Sequence, residues 1–182
     1  AFERKDFIVS SSNFEAVSWI DKWPNWEKSG LFIYGASGSG KTHLIHSWKL
    51  MTDGLILNKS NYQDFPLNIV YKNKHIAVDN ASAIPDKILL HVINICVEEK
   101  GTIFLLDRDA PARWSVNLND LKSRLRAMTT IELKKPDDNL IEQLFIKLFN
   151  DRQIKINDGV VKYIVKRVER DFENIQKLVD FM

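Results

Sequence analysis

The chain has 182 residues, of which 45% are hydrophobic and 27% are charged, and its formal net charge is +2. This length and composition suit one compact α/β unit or one domain with an appendage, with enough apolar residues for a real core. The small net charge gives no electrostatic argument for nucleic-acid binding. No apolar run approaches the roughly 20 residues that a membrane-spanning helix requires, so we expect no membrane association.

Cysteine and histidine usage indicates neither a disulfide framework nor a structural metal site. The single cysteine, Cys96, lies in the apolar stretch LLHVINICV and is expected to pack in a core. The four histidines show no metal-ligand spacing with acidic residues or with this cysteine. Because no charged-then-apolar secretory leader is evident either, we expect a cytoplasmic protein.

The strongest motif lies in the stretch YGASGSGKTHL, which matches the phosphate-binding spacing G-x-x-x-x-G-K-[ST]. In such a loop the backbone amides surround the phosphates, the lysine reaches the β and γ oxygens, and the threonine holds Mg²⁺. We call residues 35–42 the P-loop. The candidate nucleotide-binding residues in and next to it are Gly35, Gly38, Ser39, Gly40, Lys41, Thr42 and His43.

The sequence around the P-loop has the strand and the helix that the motif requires. The apolar run LFIY (31–34) predicts a buried strand, and KTHLIHSWKLM (41–51) predicts a helix with apolar residues near helical spacing. An ordinary glycine turn between strand and helix is the alternative. The context favours binding of ATP or ADP with Mg²⁺.

Two further strands are predicted after the P-loop helix, and the second of them ends at an acidic residue. GLIL (54–57) predicts a second strand, residues 58–74 are connecting structure, and HIAV (75–78) predicts a strand that ends at Asp79. A carboxylate at this place can orient Mg²⁺ beside Thr42. The alternative is an aspartate that caps a following helix.

A helix through IPDKILLHVINICVEEK (84–100) precedes a fourth predicted strand, TIFLL (102–106), which is followed by Asp107 and Arg108. Strands that alternate with helices predict a parallel sheet, with the ligand at the carboxyl ends of the strands. The fold class is therefore α/β. Asp107 is a candidate for a residue that senses the nucleotide at this edge.

The pattern changes near Pro136, where three amphipathic helical stretches follow one another without an intervening strand. Their sequences are DDNLIEQLFIKLFNDR, DGVVKYIVKRVER and DFENIQKLVDFM, each preceded or opened by an aspartate suited to an N-cap. We therefore expect a nucleotide-binding core over residues 1–135. Residues 136–182 form a small helical subdomain, which we call the lid.

Together these residues resemble the AAA+ ATPases, whose plan is an α/β P-loop core followed by a helical lid, and within them the DnaA branch. The resemblance spans nearly the whole chain and is greatest to Hda-type regulators of alphaproteobacteria, with a shared WPNW-like linker. The stretches that carry it are DFIVSSSN, LFIYGASGSGKTHLIHSW, VDN, DAPARW and LNDLKSRLRAMTTIEL.

The resemblance implies roles for residues that the motif alone does not single out. It implies an adenine pocket formed by Phe7, Ile8, Val9 and Asn13, where simple N-terminal packing is the alternative. It also implies that Arg124 is an arginine finger, which reaches the γ-phosphate bound by a neighbouring subunit. For Arg124 the alternative is a solvated surface charge.

Two positions depart from the pattern of the AAA+ family. Asn80 stands where an acid usually follows the strand aspartate, and an amide cannot accept a proton from the attacking water. Glu173 stands where DnaA has a lid arginine that contacts the γ-phosphate, so that contact is lost unless Arg167 or Arg170 substitutes. A carboxylate there disfavours ATP more than ADP. We therefore expect slow intrinsic hydrolysis and retention of ADP.

The resemblance implies a bacterial regulator that acts on the DnaA initiator, and the sequence leaves homo-oligomerisation open. Relatives of this kind attach to the sliding clamp through an N-terminal peptide, but AFERKDF shows no such motif. No helix-turn-helix region follows the lid, so we expect no direct sequence-specific DNA binding. Two alternatives remain: an active DNA-associated ATPase, such as an initiator fragment or helicase loader, and a small P-loop kinase.

Overall fold

The computed structural model describes residues 8–26, 30–63, 71–168 and 170–181. Phe7 and part of the predicted connection 58–74 lie outside these ranges. The strands are β1 (Gly30–Tyr34), β2 (Leu55–Leu57), β3 (His75–Asp79), β4 (Thr102–Asp107) and β5 (Thr129–Glu132). The helices are α1 (Phe14–Asp21), α2 (Lys41–Thr52), α3 (Asp86–Glu98), α4 (Asn119–Ala127), α5 (Asp138–Asp151), α6 (Asp158–Val165) and α7 (Phe172–Phe181).

The five strands form one parallel sheet in the order β2-β3-β4-β1-β5. β1 lies between β4 and β5, and its last residue, Tyr34, pairs with Asp107 on one side and Glu132 on the other. Asp79 at the end of β3 pairs with Leu106 of β4. The carboxyl ends of β1, β3 and β4 therefore meet at one edge, where ligands bind in open α/β sheets.

Both faces of the sheet are covered, because alternate residues of each strand enter different apolar clusters. Phe32 and Leu105 face a cluster shared with α3 and α4, whereas Ile33 and Phe104 face a cluster shared with α1 and α2. The strands therefore read as continuous apolar runs, as expected for a parallel sheet that is buried on both sides. Cys96 of α3 lies in the first cluster as a free thiol, and burial raises its pKa to about 12.

Helices α5, α6 and α7 share a third apolar cluster, in which Phe145 and Phe149 stack. Asp137 caps α5 by accepting a hydrogen bond from the amide of Leu140 at 2.8 Å. An ion pair between Arg170 and Asp138, 2.9 Å apart, joins the segment before α7 to the start of α5. These contacts hold the lid helices to one another.

The α/β class, the four strands of the sequence analysis and the lid helices are all present, and Cys96 packs in a core as expected. The predicted cap of α6 was wrong by one residue, because the N-cap is Asn157, whose side chain accepts a hydrogen bond from the amide of Gly159. Strand β5 was not predicted.

In the described part of the chain no helix is both long and apolar enough to cross a bilayer.

A small polar cluster lies at the opposite edge of the sheet, where β3 and β4 begin. The ring nitrogen Nδ1 of His75 lies 2.9 Å from Oγ1 of Thr102, which also accepts a hydrogen bond from the Trp23 indole at 3.3 Å. The Trp23 and His75 rings meet edge to face, with centroids 5.3 Å apart. Burial, and secondarily the charge of Lys74, lowers the pKa of His75.

The lowered pKa of His75 predicts a loss of stability on acidification. The unfolded chain binds the proton more readily than the folded chain, so stability falls as the pH drops through the unfolded value near 6.5. We expect His75→Gln to lose less free energy of unfolding than wild type between about pH 7.5 and 5.5 in urea titrations. His91→Gln, at an exposed position of α3, is the control. Superimposable pH profiles for wild type and His75→Gln would contradict this prediction.

Candidate phosphate-binding site

The P-loop connects β1 to α2 with a backbone that only glycine adopts without strain. Gly38 and Gly40 have φ values of 70° and 98°, and Gly40 is the N-cap of α2 in the left-handed region. At its other end the loop is joined to the sheet, because the amide of Gly35 donates to the carbonyl of Asp107 at 3.1 Å. The loop therefore enters the N-terminus of α2, the end of a helix that favours anions.

Lys41, the first residue of α2, is folded back over the loop. Its Nζ donates to the carbonyls of Gly35 at 2.6 Å and Ala36 at 2.8 Å. Burial is the largest influence on its pKa and lowers it, and Arg108 acts in the same direction, against the opposing charge of Asp79. A desolvated ammonium held by neutral carbonyls is well suited to bind an anionic phosphate.

The other P-loop residues fit a nucleotide with its Mg²⁺. Thr42 is exposed in the first turn of α2, where its hydroxyl is accessible to a cation. Ser39 is only 3% exposed, and its Oγ has no hydrogen-bond partner among the described residues. His43 follows in α2 and is half-buried. An unsatisfied buried hydroxyl in a loop rich in amides is a feature that a bound ligand group can satisfy.

Asp79 is the last residue of β3, and its charge partly opposes the lowering of the Lys41 pKa by burial. The next residue, Asn80, is exposed and adopts the left-handed conformation with φ 54° and ψ 57°. Asparagine tolerates this region better than most residues. Neither side chain caps the 3₁₀ turn that begins at Ala81, so the capping alternative for Asp79 gains no support in this part of the structure.

The carboxylate of Asp107 is 3% exposed and fully used by backbone amides. One oxygen accepts from Ser82 at 2.7 Å, and the other accepts from Arg108 at 2.6 Å and Asp109 at 3.4 Å. Asp107 therefore fixes the loops that follow β3 and β4, which lie at the same edge of the sheet as the P-loop. Its role as a sensor of nucleotide remains a prediction.

The segment before α1 is shaped by the buried side chain of Asn13, which is 4% exposed. Its amide nitrogen donates to the carbonyl of Ile8 at 2.9 Å, and its oxygen accepts from the amide of Ser10 at 2.8 Å. Val9, between them, is 39% exposed. Ser11 donates to Asp137 at 2.8 Å and so ties this segment to the start of the lid. Asn13 therefore organises the predicted adenine-binding segment; Phe7 lies outside the described residues.

Arg124 lies on α4, whose Leu121 and Leu125 are buried in the sheet-facing cluster. Arg124 and Arg126 are both exposed. With 3.6 residues per turn, positions two apart diverge by roughly 160° around the helix axis. The two arginines therefore project from opposite flanks of α4, and only one of them can address a given partner surface.

The lid contacts the P-loop directly, and the sequence analysis missed this contact. The amide of Phe172, the first residue of α7, donates to the carbonyl of Gly38 at 3.1 Å. The carboxylate of Asp171 lies against Gly38 and the Phe172 ring lies against Gly40, so a side chain at either glycine would overlap the lid. The sequence indicated only that Asp171 caps α7, which it does by accepting from the amide of Asn174 at 3.3 Å.

The comparisons with known proteins agree with this geometry. The family model of the bacterial DnaA ATPase domain matches residues 1–61. The DnaA initiator of Buchnera aphidicola subsp. Baizongia pistaciae is 24% identical over 80% of this chain and 37% of its own length. That of Mycoplasma capricolum is 22% identical over 94% of this chain and 45% of its own length.

Solved structures match almost the whole chain. A DnaA bound to AMPPCP and single-stranded DNA has a TM-score of 0.85 at 15% identity, covering 99% of this chain and 64% of that one. The Holliday junction branch migration motor RuvB of Thermotoga maritima has a TM-score of 0.73 at 15% identity, covering 99% of this chain and 63% of that one.

The parallel sheet, its strand order, the P-loop and the helical lid give the chain the fold of the AAA+ ATPase domains seen in the DnaA and RuvB structures. In sequence the chain is similar to DnaA initiators, and its residues 1–61 match the family model of their ATPase domain. It spans about two fifths of the length of the curated DnaA relatives that it matches.

The P-loop geometry predicts that Lys41→Ala abolishes stabilisation by nucleotide. A ligand that binds only the folded chain raises its stability by about 2.7 kcal/mol at a concentration 100 times Kd. Adding ADP or ATP with Mg²⁺ should therefore raise the melting temperature of wild type and leave that of Lys41→Ala unchanged. Lys49→Ala, at an exposed position in the last turn of α2, is the control. A nucleotide-dependent shift that survives in Lys41→Ala would refute the role of this lysine.

Proposed function

We propose that the protein is a AAA+ regulator that holds an adenine nucleotide, ADP in its working form, and stimulates ATP hydrolysis by the DnaA replication initiator. This activity would limit over-initiation. The observation that carries the proposal is the exposed Arg124 on α4, in a chain with a P-loop of its own. The resemblance to Hda-type regulators supports the same assignment.

Nucleotide binding rests on the P-loop and on the AMPPCP named for two matching structures. Lys41 would exchange its two carbonyl partners for phosphate oxygens, and the positive-φ glycines would present their amides to the phosphates. Thr42 and Asp79 would hold Mg²⁺, directly or through water. The N-terminus of α2, with Lys41, would stabilise the negative charges of the phosphates.

The proposed action on DnaA takes place in trans. A guanidinium is planar and permanently charged, so Arg124 can donate two parallel hydrogen bonds to oxygens of a phosphoryl group bound by the partner. Charge that develops during phosphoryl transfer is stabilised by such a donor, which is worth on the order of 10³ to 10⁵ in rate. The burial of Leu121 and Leu125 holds α4 firmly enough to present this side chain.

Low intrinsic hydrolysis follows from Asn80 and Glu173. Asn80 occupies an exposed left-handed position after Asp79, and its amide cannot act as a general base. Glu173 lies in the first turn of α7, the helix that contacts the P-loop. We infer that the chain retains its own nucleotide and assists hydrolysis elsewhere.

The second candidate function is an active DNA-associated ATPase, such as an initiator fragment or helicase loader. It is favoured by the matching structure that holds single-stranded DNA and by the curated relatives, which are initiators. Stimulation of intrinsic turnover by DNA would distinguish it. The fold matches to DnaA and RuvB favour either AAA+ assignment over the small P-loop kinase.

The remaining parts of the proposal concern organisation and partners. The core of residues 1–135 and the lid of residues 136–182 would act as two subdomains, consistent with the separate apolar cluster of α5, α6 and α7. We place the protein in the bacterial cytoplasm, with DnaA as its partner and without sequence-specific DNA binding of its own. Attachment to the sliding clamp and homo-oligomerisation are hypotheses that the DnaA assay below can include.

Asn80 predicts that the purified protein hydrolyses ATP far more slowly than once per second and binds ADP at least as well as ATP. Asn80→Asp should raise the turnover, because aspartate supplies the missing base and tolerates the left-handed backbone. The rate of ATP hydrolysis by wild type and by Asn80→Asp is measured as phosphate release under single-turnover conditions. Asn139→Asp, at an exposed position in the first turn of α5, is the control. A wild-type turnover of several per second would contradict the prediction.

Arg124 predicts a loss that appears only in a mixture with DnaA. Arg124→Ala should fold and bind ADP as wild type does, since an exposed arginine contributes little to stability. With ATP-loaded DnaA, with and without DNA-loaded clamp, the stimulated hydrolysis should fall by roughly 10³-fold or more. Arg124→Lys should restore little of it, because a point charge lacks the planar donor pair.

Arg126→Ala is the matched control, since this residue is equally exposed but projects from the other flank of α4. It should retain most of the stimulation. Equal stimulation by wild type and Arg124→Ala at saturating protein would exclude Arg124 as the finger.

A further inference from the structure

The docking of the lid places a negative charge on the phosphate-binding loop. The carboxylate of Asp171 occupies the position that a side chain on Gly38 would take, with Oδ2 nearest to it. Oδ1 accepts the capping hydrogen bond from the amide of Asn174. Gly38 is one of the two positive-φ glycines of the P-loop. Both oxygens of Asp171 therefore lie close to Gly38, and Oδ1 also caps α7.

Two contacts of Phe172 hold the carboxylate in this place. Its amide donates to the carbonyl of Gly38 at 3.1 Å, and its ring lies against Gly40. Because Asp171 immediately precedes Phe172, its position is fixed as long as α7 stays docked. The charge is therefore a constant feature of the closed site.

A fixed carboxylate beside the P-loop opposes the binding of anions. The site already contains the charges of Asp79 and Asp107, which act on Lys41 against that of the cationic Arg108. Repulsion between a fixed charge and a ligand grows with the ligand's charge, and a triphosphate with Mg²⁺ carries one more negative charge than a diphosphate with Mg²⁺.

We propose that Asp171 is a specificity-determining residue of the nucleotide site, which weakens the binding of triphosphate more than that of diphosphate. The proposal rests on nucleotide binding at the P-loop, as proposed above, but not on any action on DnaA. It gives ADP retention a cause in the described lid contact, separate from the position of Glu173.

Asp171→Asn is the sharpest test, because asparagine is as good an N-cap as aspartate and only the charge is removed. Dissociation constants for AMPPCP and ADP with Mg²⁺ are measured by calorimetry. AMPPCP should bind roughly 3- to 30-fold more tightly than to wild type, and ADP should gain less. The difference should shrink between about 50 and 500 mM KCl, because salt screens exposed charges.

Two further variants keep the test independent of folding and of general charge. Asp171→Ser is also neutral and also caps, so it should shift the two affinities in the same direction. Asp151→Asn removes an exposed lid charge at the other end of α5 and should leave the ratio of the two affinities unchanged. Melting temperatures without nucleotide should agree for all four proteins to within a few degrees.

An unchanged affinity ratio in Asp171→Asn would overturn the inference. So would a Mg²⁺-dependent loss of affinity, since the carboxylate would then help to hold the cation. If no protein binds either nucleotide, both this inference and the nucleotide-holding regulator fail. If the ratio shifts but DnaA is not stimulated, the proposed function fails and the role of Asp171 stands.

Discussion

The parallel pairing of β1 with β4 is the interaction on which the site depends. It places Tyr34 opposite Asp107, and the amide of Gly35 then donates to the Asp107 carbonyl, so the P-loop begins as an extension of the sheet. A shift by one residue would turn every side chain of β1 to the opposite face of the sheet. Because Phe32 and Ile33 belong to different buried clusters, the core opposes such a shift. The stability of the sheet therefore fixes where the phosphate-binding loop starts.

Asp107 extends this control to the neighbouring loops. Its side chain receives hydrogen bonds from three amides, those of Ser82, Arg108 and Asp109. A buried carboxylate is tolerated only when it is satisfied in this way. One side chain thus holds the loop that contains Asn80 and the loop that contains Arg108 at fixed positions relative to Lys41. The P-loop and the loops after β3 and β4 therefore lie at one edge of the sheet.

The sequence predicted the parts of the fold that are coded locally. The apolar runs of β1, β3 and β4 and the glycine spacing of the P-loop indicate their structures without knowledge of the rest. β5 escaped prediction because TTIE has one buried residue, Ile131, and no apolar run. The cap of α6 was misplaced because Asn157 and Asp158 are both good caps. The contact of Phe172 with Gly38 joins residues far apart in the chain, and no local pattern encodes it.

The hydrogen bond from Phe172 to Gly38 couples the position of the lid to that of the P-loop. Any molecule that changes how firmly α7 rests on the loop changes the affinity for nucleotide, and the nucleotide must change the affinity for that molecule by the same factor. A protein that binds the outer face of α7 would therefore change the rate of nucleotide exchange without contacting a phosphate. In the same way, a change of nucleotide would change how tightly that protein binds to α7.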